Sequence, residues 1–593
     1  MRTNNFTPVI LIVLFLFTSI IYSQEKFIVN LNNLSDDMFH VTLYPDKLSG
    51  ENNIFQFAAT APGTYEEMDV GKYVKSFKAF DADSNEVKTE NMSTNQWKLF
   101  NPQNIKKIEY TIEDTWDAKT DNEKTYYMSG SNIDSDNVLI NGQCVFGYFR
   151  GLQSYPIKIK IEYPAGWGIG TALKLDKEGF YDAPTYDYVV DSPILLGNLS
   201  EDSLKVGNAK IKVFTYSKTG LIKSSELLSS LKDIIQAESK FTNGLPVDHY
   251  TFLFHMGNHN AGAWEHSYSS EYVLLEEPLT EFSISNLRSM IAHEFFHIVT
   301  PLNIHSELVA KFNFEKPVMS RHLWLYEGVT EWAANILQLR DSLISLQNYL
   351  NIIRQKIFFM QRFNKNISLT ELGIHSVEMQ DQYINIYNKG AVVAELLDIR
   401  LLELSNGTKG LREVINELSR KYGPDKSFSE DNFSNEFVKM TYPEIKDFFE
   451  NYIEGTKKLP ITEYYKKIGI DFFESKGLDS SKPSMGIGLG VKDNHFVVFD
   501  VSQSSGNKNK ILPGDIIYSF NGNELTFENI RDKLREYQNK NVGDTVNTVI
   551  IRNNEKLNID LILGPSERKY VSEIDPNPTE EQLKLRNAWM KNL

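Results

Sequence analysis

Two histidines separated by three residues are the part of this sequence that most directly indicates chemistry. They occur in the string His293-Glu294-Phe295-Phe296-His297. On an α-helix, residues four positions apart lie one above the other, so both imidazoles can reach one metal ion. Glu294 would stand over the same site as a general base. The string therefore predicts a zinc site on a helix in this part of the chain.

The candidate third ligand of this site is a glutamate farther along the chain. A catalytic zinc site requires three protein ligands and an open position for water. Glu327 lies in Trp324-Leu325-Tyr326-Glu327-Gly328, at the start of a second helix-like stretch, where its carboxylate could face the first helix. Glu331 lies one turn further on the same helix face. The residues leave open whether Glu331 holds a ligand histidine by its other ring nitrogen or is a solvated helix residue.

A glutamate upstream of the histidines could bind substrate. The segment Gly262-Ala263-Trp264-Glu265-His266 follows a predicted strand, Tyr250-Thr251-Phe252-Leu253-Phe254, by a short loop. Beside a zinc site, the carboxylate of Glu265 would bind a substrate ammonium group and restrict cleavage to the first peptide bond. By itself the string is also compatible with a glutamate in a surface loop.

A tyrosine follows at the start of an apolar helix, in Tyr387-Asn388-Lys389-Gly390-Ala391. A tyrosine hydroxyl near the metal could donate a hydrogen bond to the oxyanion that forms during hydrolysis. Aromatic residues at helix starts are more often packing groups, so the residues alone leave both roles open for Tyr387.

The elements that would carry these residues begin with a long stretch of period two. From about Phe27 to Ser217 apolar and polar residues alternate, as in Ile157-Lys158-Ile159-Lys160-Ile161 and Ile211-Lys212-Val213-Phe214. Pro62-Gly63 and several asparagine and aspartate clusters punctuate these strands as turns. The pattern predicts an antiparallel β-sandwich-like domain at residues 24–220.

Helical periodicity follows the β region. Examples are Asn286 to Thr300, Leu346 to Phe363 and Ala391 to Leu404. These segments predict a mainly helical, α+β catalytic domain at residues 221–475.

The C-terminal part returns to short strands with one helix. Met485-Gly486-Ile487-Gly488-Leu489-Gly490-Val491 resembles the glycine-rich loop of PDZ domains, whose backbone N–H groups capture a terminal carboxylate. We assign Gly488, Leu489 and Gly490 to that loop and a PDZ domain to residues 480–566. Its partners would be protein C-termini, unless the domain only packs against the rest of the chain. Residues 567–593 are charged and predict a C-terminal tail.

Composition narrows the class of protein. A length of 593 residues suggests three or four domains, and the net charge of −16 without a basic stripe argues against a nucleic-acid partner. The single cysteine, Cys144, excludes an intrachain disulfide. Its apolar neighbours favour a small buried residue over a nucleophile.

The first residues resemble an export signal. Arg2 is followed by the apolar run Val9 to Phe17 and by the small residue Ser23 at a plausible cleavage point. The run is shorter than the roughly 20 apolar residues that span a bilayer. We therefore predict a cleaved signal peptide at residues 1–23 and a periplasmic or secreted protein. The alternative is an uncleaved membrane anchor.

The order of the motifs resembles that of the gluzincin metallopeptidases and, among them, the glycyl aminopeptidase family, bacterial enzymes with an attached PDZ domain. The order is Pro62-Gly63-Thr64-Tyr65, then GAWEH, HEFFH, YEG, YNKG and the C-terminal module. The resemblance implies a thermolysin-like catalytic domain that holds one zinc ion, with Glu327 as the third ligand. It also implies that Tyr387 stabilises the oxyanion.

For substrate binding, the resemblance implies that Glu265, with Gly262 and Ala263, binds the free N-terminus of a peptide. Trp264 departs from the smaller or aliphatic residue of the family pattern. The side-chain preference is therefore open.

The combined hypothesis is an exported zinc aminopeptidase that acts on peptides and prefers N-terminal Gly or Ala, the preference being implied by the resemblance alone. Glu294 would take a proton from a zinc-activated water. One alternative is a zinc endopeptidase whose PDZ domain presents substrate tails. Another is a binding or scaffold protein.

Overall fold

The computed structural model describes residues 24–118, 125–492, 494–502 and 505–591. It shows a β-rich N-terminal domain, a mainly helical middle domain and a β-rich C-terminal domain, which confirms the predicted fold class. The predicted signal peptide at residues 1–23 lies outside the described residues. Within the described ranges, no helix is both long and apolar enough to span a bilayer.

The N-terminal domain is built from short strands and turns. Its elements are β1 Glu25–Asn30, β2 Met38–Tyr44, β3 Ile54–Gln56, β4 Val74–Phe80, β5 Glu86–Val87, β6 Thr89–Ser93, β7 Gln96–Leu99, β8 Lys107–Glu113, β9 Asn132–Ile133, β10 Asn137–Ile140, α1 Gly142–Val145, β11 Tyr148–Phe149, β12 Ile157–Glu162, β13 Gly168–Thr171, β14 Lys174–Leu175, β15 Tyr181–Ala183, α2 Tyr186–Val190 and β16 Ile194–Gly197, with 3₁₀ turns at Val70–Tyr73, Pro102–Asn104 and Tyr127–Ser129.

Alternation along each strand explains the packing of this domain. In β12, Ile157, Ile159 and Ile161 are buried while the residues between them are half-buried. The largest sheet has the order β14-β15-β12-β1-β2-β8-β4-β5. The prediction of an entirely antiparallel domain was wrong in one place, because β1 and β12 pair in parallel. The two strands are far apart in sequence, and alternation of side chains does not encode strand direction.

A separate, five-stranded sheet lies beneath the helical domain. Its strands are β17 Ser200–Val206, β18 Ala209–Ser217, β19 His249–Gly257, β20 Gly262–Glu265 and β21 Ser269–Leu275, in the order β17-β18-β19-β21-β20. The sequence alone placed Ile211–Phe214 in the N-terminal domain. In the structure β18 pairs in parallel with β19, so this segment belongs to the sheet beneath the helices. A period of two identifies a strand but not the sheet that it joins.

The helices of the middle domain pack on this sheet and on one another. They are α3 Ser224–Phe241, α4 Glu281–Phe296, α5 Glu307–Ala310, α6 Thr330–Arg340, α7 Leu346–Met360, α8 Leu369–Ile374, α9 Gln380–Tyr383, α10 Asn385–Leu404, α11 Leu411–Lys421, α12 Phe433–Met440, α13 Ile445–Phe448 and α14 Ile461–Lys467, with π-helical turns at Trp324–Val329 and Phe449–Ile453. Apolar spacing decides which faces are buried. In α11, Leu411, Val414 and Leu418 form the buried stripe.

The C-terminal domain has its own sheet and core. Its elements are β22 Ile470–Ser484, β23 Ile487–Lys492, β24 His495–Val501, β25 Ile516–Phe520, β26 Asn523–Glu524, α15 Ile530–Gln538, β27 Thr545–Arg552, β28 Glu555–Ile562, β29 Gly564–Ile574 and α16 Glu580–Trp589. The sheet order is β23-β24-β25-β27-β28, and Val498, Phe520 and Ile550 lie in its core. A two-stranded ribbon of β22 and β29 joins this domain to the helical one.

The predicted charged tail at residues 567–593 is wrong for the residues that the structure describes. β29 pairs with β22, and α16 packs so that Trp589 is completely buried. The Nε of Arg340 donates to the carbonyl oxygen of Trp589 at 2.9 Å. One buried aromatic residue anchors a helix whose other faces are charged. The charged composition of this segment therefore suggested a tail, because composition does not show which single residue is buried.

The residues of the predicted carboxylate-binding loop lie in a strand. Gly488, Leu489 and Gly490 lie in β23, which pairs antiparallel with β24. A Cβ on Gly488 would come within 2.8 Å of the ring of Phe499, which in turn packs edge-on against Phe358 of α7 at 5.4 Å. The glycines therefore make room for a contact between this hairpin and the helical domain.

Candidate metal centre and substrate pocket

The two histidines of the HEFFH string lie at the end of α4. This helix begins at the Thr280 cap, whose hydroxyl accepts from the backbone N–H of Ser283 at 3.2 Å. His293 lies in the last turn and His297 at the C-terminal cap, and both are buried. The Nδ1 of His297 donates to the carbonyl oxygen of Thr300 at 2.9 Å. This bond leaves Nε2 of His297 free for a ligand.

Glu327 reaches the same point from the π-helical turn at Trp324–Val329. The next residue, Gly328, touches Gly390 of α10 so closely that a Cβ on Gly328 would lie 2.7 Å from the Gly390 Cα. Because neither glycine has a side chain, the backbone of the turn packs directly against α10. The Oε2 of Glu327 then lies 3.3 Å from His293 Nε2 and 3.7 Å from His297 Nε2.

These three side chains fit a zinc ion. Their ligand atoms all lie within 4.8 Å of one another. In a tetrahedral site with bonds of about 2.0–2.2 Å, ligand atoms are about 3.3–3.6 Å apart, close to the distances of Glu327 from the two histidines. Two imidazoles and one carboxylate are a donor set that zinc prefers. The structure thus brings together the three ligands that the sequence predicted.

Glu331 lies behind the first histidine. Its Oε2 accepts from His293 Nδ1 at 2.8 Å, and its Oε1 accepts from the ammonium of Lys356 on α7. Burial alone would raise the pKa of Glu331, but the charges of Lys356 and His293 outweigh burial and hold it well below its usual value. A charged Glu331 fixes the ring orientation of His293 and leaves Nε2 facing Glu327.

A tyrosine from the N-terminal domain contacts the third ligand. The hydroxyl of Tyr65 donates to Glu327 Oε1 at 3.0 Å, and the backbone of Tyr65 is left-handed at φ 49°. Its ring lies 5.4 Å from that of Tyr383. The sequence analysis identified the string Pro62-Gly63-Thr64-Tyr65 as the first motif of the family order. It did not predict that Tyr65 contacts Glu327.

A cavity of about 330 Å³ opens in front of these groups. Glu294 and Glu265 line it, with Met128, Ser289 and Met290. Burial, opposed by His293 and assisted by Glu327, raises the pKa of Glu294 to about 7. Burial, followed by the charges of Glu327 and Glu294, raises the pKa of Glu265 well above its usual value. Both carboxyl groups therefore resist ionisation, and a bound cation would favour their charged forms.

The strand that carries Glu265 sorts the predicted substrate residues by face. Ala263 and Glu265 line the cavity, whereas Trp264 does not line it and is buried in the core of the N-terminal domain. Gly262 is not among the lining residues. Gly63 lies against this strand, and a Cβ on it would come 2.8 Å from Glu265 Oε1.

Tyr387 lies beside the histidines. Its ring is 5.6 Å from that of His293, and its hydroxyl lies 3.0 Å from the hydroxyl of Tyr383. Burial, and then the charge of Glu327, raises the pKa of Tyr387 well above its usual value. The phenol is therefore neutral and can donate a hydrogen bond at ordinary pH.

Family models match three parts of the chain. The Peptidase M61 N-terminal domain matches residues 26–198, the M61 glycyl aminopeptidase model matches residues 286–393, and the PDZ domain model matches residues 483–563. The chain thus carries both M61 domains. These matches support a zinc metallopeptidase of the aminopeptidase type, and the three residues that could hold the metal, His293, His297 and Glu327, all lie inside the second matched region. The family predicted from the motif order is confirmed, and the PDZ match suggests peptide binding.

One solved structure supports the fold over nearly the whole chain, and two others are matched with lower scores. A crystal structure of an aminopeptidase N family protein from Idiomarina loihiensis has 19% sequence identity and a TM-score of 0.77, and the match covers 96% of this chain and 100% of that one. An M1 zinc metallopeptidase from Deinococcus radiodurans has 11% identity, a TM-score of 0.45 and coverage of 74% and 95%. Yeast LTA4 hydrolase in complex with bestatin has 13% identity, a TM-score of 0.45 and coverage of 74% and 68%. Comparison with curated protein sequences finds no significant match.

Proposed function

We propose that this protein removes the N-terminal residue of peptides with a single zinc ion, prefers Gly or Ala at that position, and works outside the cytoplasm. The observation that carries the proposal is the place of Glu265. One side-chain oxygen or nitrogen of each of Glu265, Glu294 and His297 lies within 4.8 Å of the others. Glu265 is not one of the three proposed zinc ligands, so its carboxylate is available to bind substrate.

The chemistry assigned to the chain's own residues follows from their positions. His293, His297 and Glu327 would hold zinc, which supplies a polarised carbonyl and a water with a pKa of about 7. Glu294 takes a proton from the attacking water and later gives it to the leaving amine. The Tyr387 hydroxyl donates to the oxyanion as its charge develops.

Glu265 would bind the free amine of the substrate. Its raised pKa reflects burial beside Glu327 and Glu294, and a positive ammonium group would reverse that penalty. An endopeptidase substrate has no charged amine at this position. It would leave Glu265 without an ionic partner, as a buried neutral acid whose pKa stays raised.

The preference for a small first residue rests on the lining of the cavity. Met128 from the N-terminal domain and Met290 from α4 bring long side chains to a space of about 330 Å³. A large first side chain would compete with these methionines for the same volume.

Cleavage assays on matched substrates test the proposed reaction. Chromogenic glycyl and alanyl substrates should be hydrolysed, their N-acetylated twins should not, and a chelator should abolish the activity. Leucyl or phenylalanyl substrates cleaved as fast as glycyl ones would contradict the size preference. Equal cleavage of the acetylated twins would favour the endopeptidase.

Replacement of the amine-binding carboxylate gives a second test. Glu265→Gln should lower kcat/KM for free-amine substrates by about 10- to 100-fold, the value expected for one lost charge-assisted bond. Glu281→Gln, at an exposed position of α4, is the matched control and should leave kcat/KM unchanged. An unchanged kcat/KM for Glu265→Gln would remove the exopeptidase assignment.

Export is supported by the apolar run Val9 to Phe17 and the small Ser23. Expression of the full chain in a bacterial host, followed by fractionation and N-terminal sequencing, should give a soluble exported form that begins at Gln24. A membrane-bound form that retains Met1 would contradict cleavage.

A further inference from the structure

A large cleft lies between the helical domain and the PDZ domain and shares no lining residue with the metal cavity. Its main part has a volume of about 1010 Å³ and lies between the end of α7, the first turns of α10, residues 456–463 and the β22–β29 ribbon. A second pocket of about 260 Å³ continues it toward β23. The two share Asp500, Ser502, Glu567 and Lys569, so we treat them together as the junction cleft.

The carboxylates that line the junction cleft already have partners. Asp500 pairs with Lys569, Glu474 pairs with Lys458 at 2.5 Å, and Glu463 pairs with Lys467 at 3.9 Å. Glu567 accepts hydrogen bonds from two serine hydroxyls, those of Ser475 at 2.6 Å and Ser502 at 2.8 Å. The acidic groups of the cleft are therefore engaged.

Two arginines of the cleft are not matched by acids. Arg354 on α7 donates to the carbonyl oxygen of Lys569 at 3.2 Å, and Arg568 on β29 donates to the side-chain oxygen of Asn351 at 3.2 Å. Among the described residues neither guanidinium forms an ion pair, and the Nε of Arg354 is buried without a hydrogen-bond partner. Burial, and then the charge of Arg568, lowers the pKa of Arg354. Both groups lie beside Gly486 and Gly488 in the smaller pocket.

A third cation and an unsatisfied amide lie at the other end of the cleft. The ammonium of Lys389 donates to the carbonyl oxygen of Ile367 at 3.2 Å and forms no ion pair within the described part of the chain. One turn earlier on α10, Asn385 is 5% exposed, and its Oδ1 has no hydrogen-bond partner there. A buried polar atom without a partner is costly unless a ligand or water satisfies it.

We propose that the junction cleft binds an acidic polypeptide segment whose carboxylates pair with Arg354, Arg568 and Lys389. The unpaired positive charge of this cleft contrasts with the net charge of −16 of the whole protein. Arginine forks match carboxylates in geometry, and the amide of Asn385 matches a peptide group. This proposal is independent of the peptidase reaction.

The size of the cleft favours a polypeptide over a small anion. Its main part alone reaches the upper end of the roughly 300–1,000 Å³ typical of ligand pockets. The cations also lie in two connected spaces, so one phosphate or acetate ion could not meet all of them. A peptide that bears several carboxylates can meet both ends of the cleft.

Direct binding to the full-length Glu294→Gln protein tests the proposal without cleavage. The probe is a short, dye-labelled, N-acetylated peptide of glutamate and alanine, followed by fluorescence anisotropy. Acetylation removes the amine that Glu265 would recognise. The acidic peptide should bind, a lysine–alanine counterpart should not, and added salt should weaken binding.

Matched variants locate the site. The double replacement Arg354→Gln, Arg568→Gln should weaken binding of the acidic peptide at least about tenfold, and Lys389→Gln should weaken it severalfold. The control pair Arg531→Gln, Arg535→Gln, on the exposed face of α15 in the same domain, should change it less than about twofold.

Three results would overturn the proposal. They are unchanged affinity in the Arg354 and Arg568 double variant, equal binding of the lysine peptide, and displacement of the acidic peptide by inorganic phosphate at a comparable concentration. The first two would show that the unpaired cations do not select the ligand. The last would show a small-anion site. None of the three bears on whether the metal centre removes N-terminal residues.

Discussion

At the scale of single residues, the metal centre depends on side chains that orient the proposed ligands. Glu327 has partners on two sides, His293 at 3.3 Å and the hydroxyl of Tyr65 at 3.0 Å. Tyr65 comes from the N-terminal domain, so the position of Glu327 depends on how that domain packs against the helical domain. A hydrogen bond to a ligand carboxylate fixes which oxygen faces the metal.

Removal of the Tyr65 hydroxyl tests this arrangement. Tyr65→Phe keeps the ring and its packing on Tyr383 but loses the bond to Glu327. We expect zinc affinity or kcat/KM to fall about 10- to 100-fold, the range for lost outer partners of metal ligands. Competition with a chromophoric chelator measures the affinity. The control Tyr44→Phe, on the exposed part of β2, should behave as wild type. A wild-type affinity and rate for Tyr65→Phe would mean that the contact has no role in the site.

At the scale of elements, α7 connects two parts of the molecule. Lys356 on this helix bonds to Glu331, which orients His293. The same helix carries Phe358, which packs on Phe499 of the PDZ domain. One rigid helix thus reaches both the metal centre and the domain that follows it.

Loss of the Lys356 ammonium should weaken the metal site through Glu331. In Lys356→Met the charge that holds down the pKa of Glu331 is gone, so its bond to His293 weakens. We expect about tenfold faster zinc loss to a chelator, with little change in the circular dichroism spectrum. Gln355→Met, at an exposed position of the same helix, is the control. Equal zinc loss in both variants would count against the connection.

The elements also show what sequence could and could not predict. The spacing of His293 and His297 fixes a helix face, so α4 and the metal pair were predictable. Tyr65 was not, because its contact with Glu327 joins residues in different domains. Likewise, the partner of Glu331 lies on another helix, which left its role undecided. Periodicity predicts elements, but contacts between distant elements arise from packing that a single sequence does not encode.

At the scale of the whole molecule, metal and fold are linked. The cavity brings Glu265, Glu294 and Glu327 together, and burial and mutual repulsion hold the pKa values of Glu265 and Glu294 above their usual values. A bound cation would offset that cost. Zinc that binds only the folded state at 100 times its Kd stabilises it by about 2.7 kcal/mol. A chelator should therefore lower the Tm of the wild-type protein by several degrees in calorimetry. His297→Ala should show a much smaller shift. Equal shifts in the two proteins would place the stabilising metal elsewhere.

The C-terminal helix contributes to stability at a distance from the catalytic chemistry. Trp589 is completely buried, and its carbonyl accepts from Arg340, which pairs with Asp398 at 2.7 Å. Trp589→Ala should lower the free energy of unfolding by about 3–5 kcal/mol because it leaves a cavity beside this buried ion pair. At 25 °C kcat/KM should stay near the wild-type value, because Trp589 lines no part of the metal cavity. Leu583→Ala, partly exposed on the same helix, should cost less than about 1 kcal/mol. Denaturant unfolding measures all three proteins, and equal losses for Trp589→Ala and Leu583→Ala would refute the anchoring role of the tryptophan.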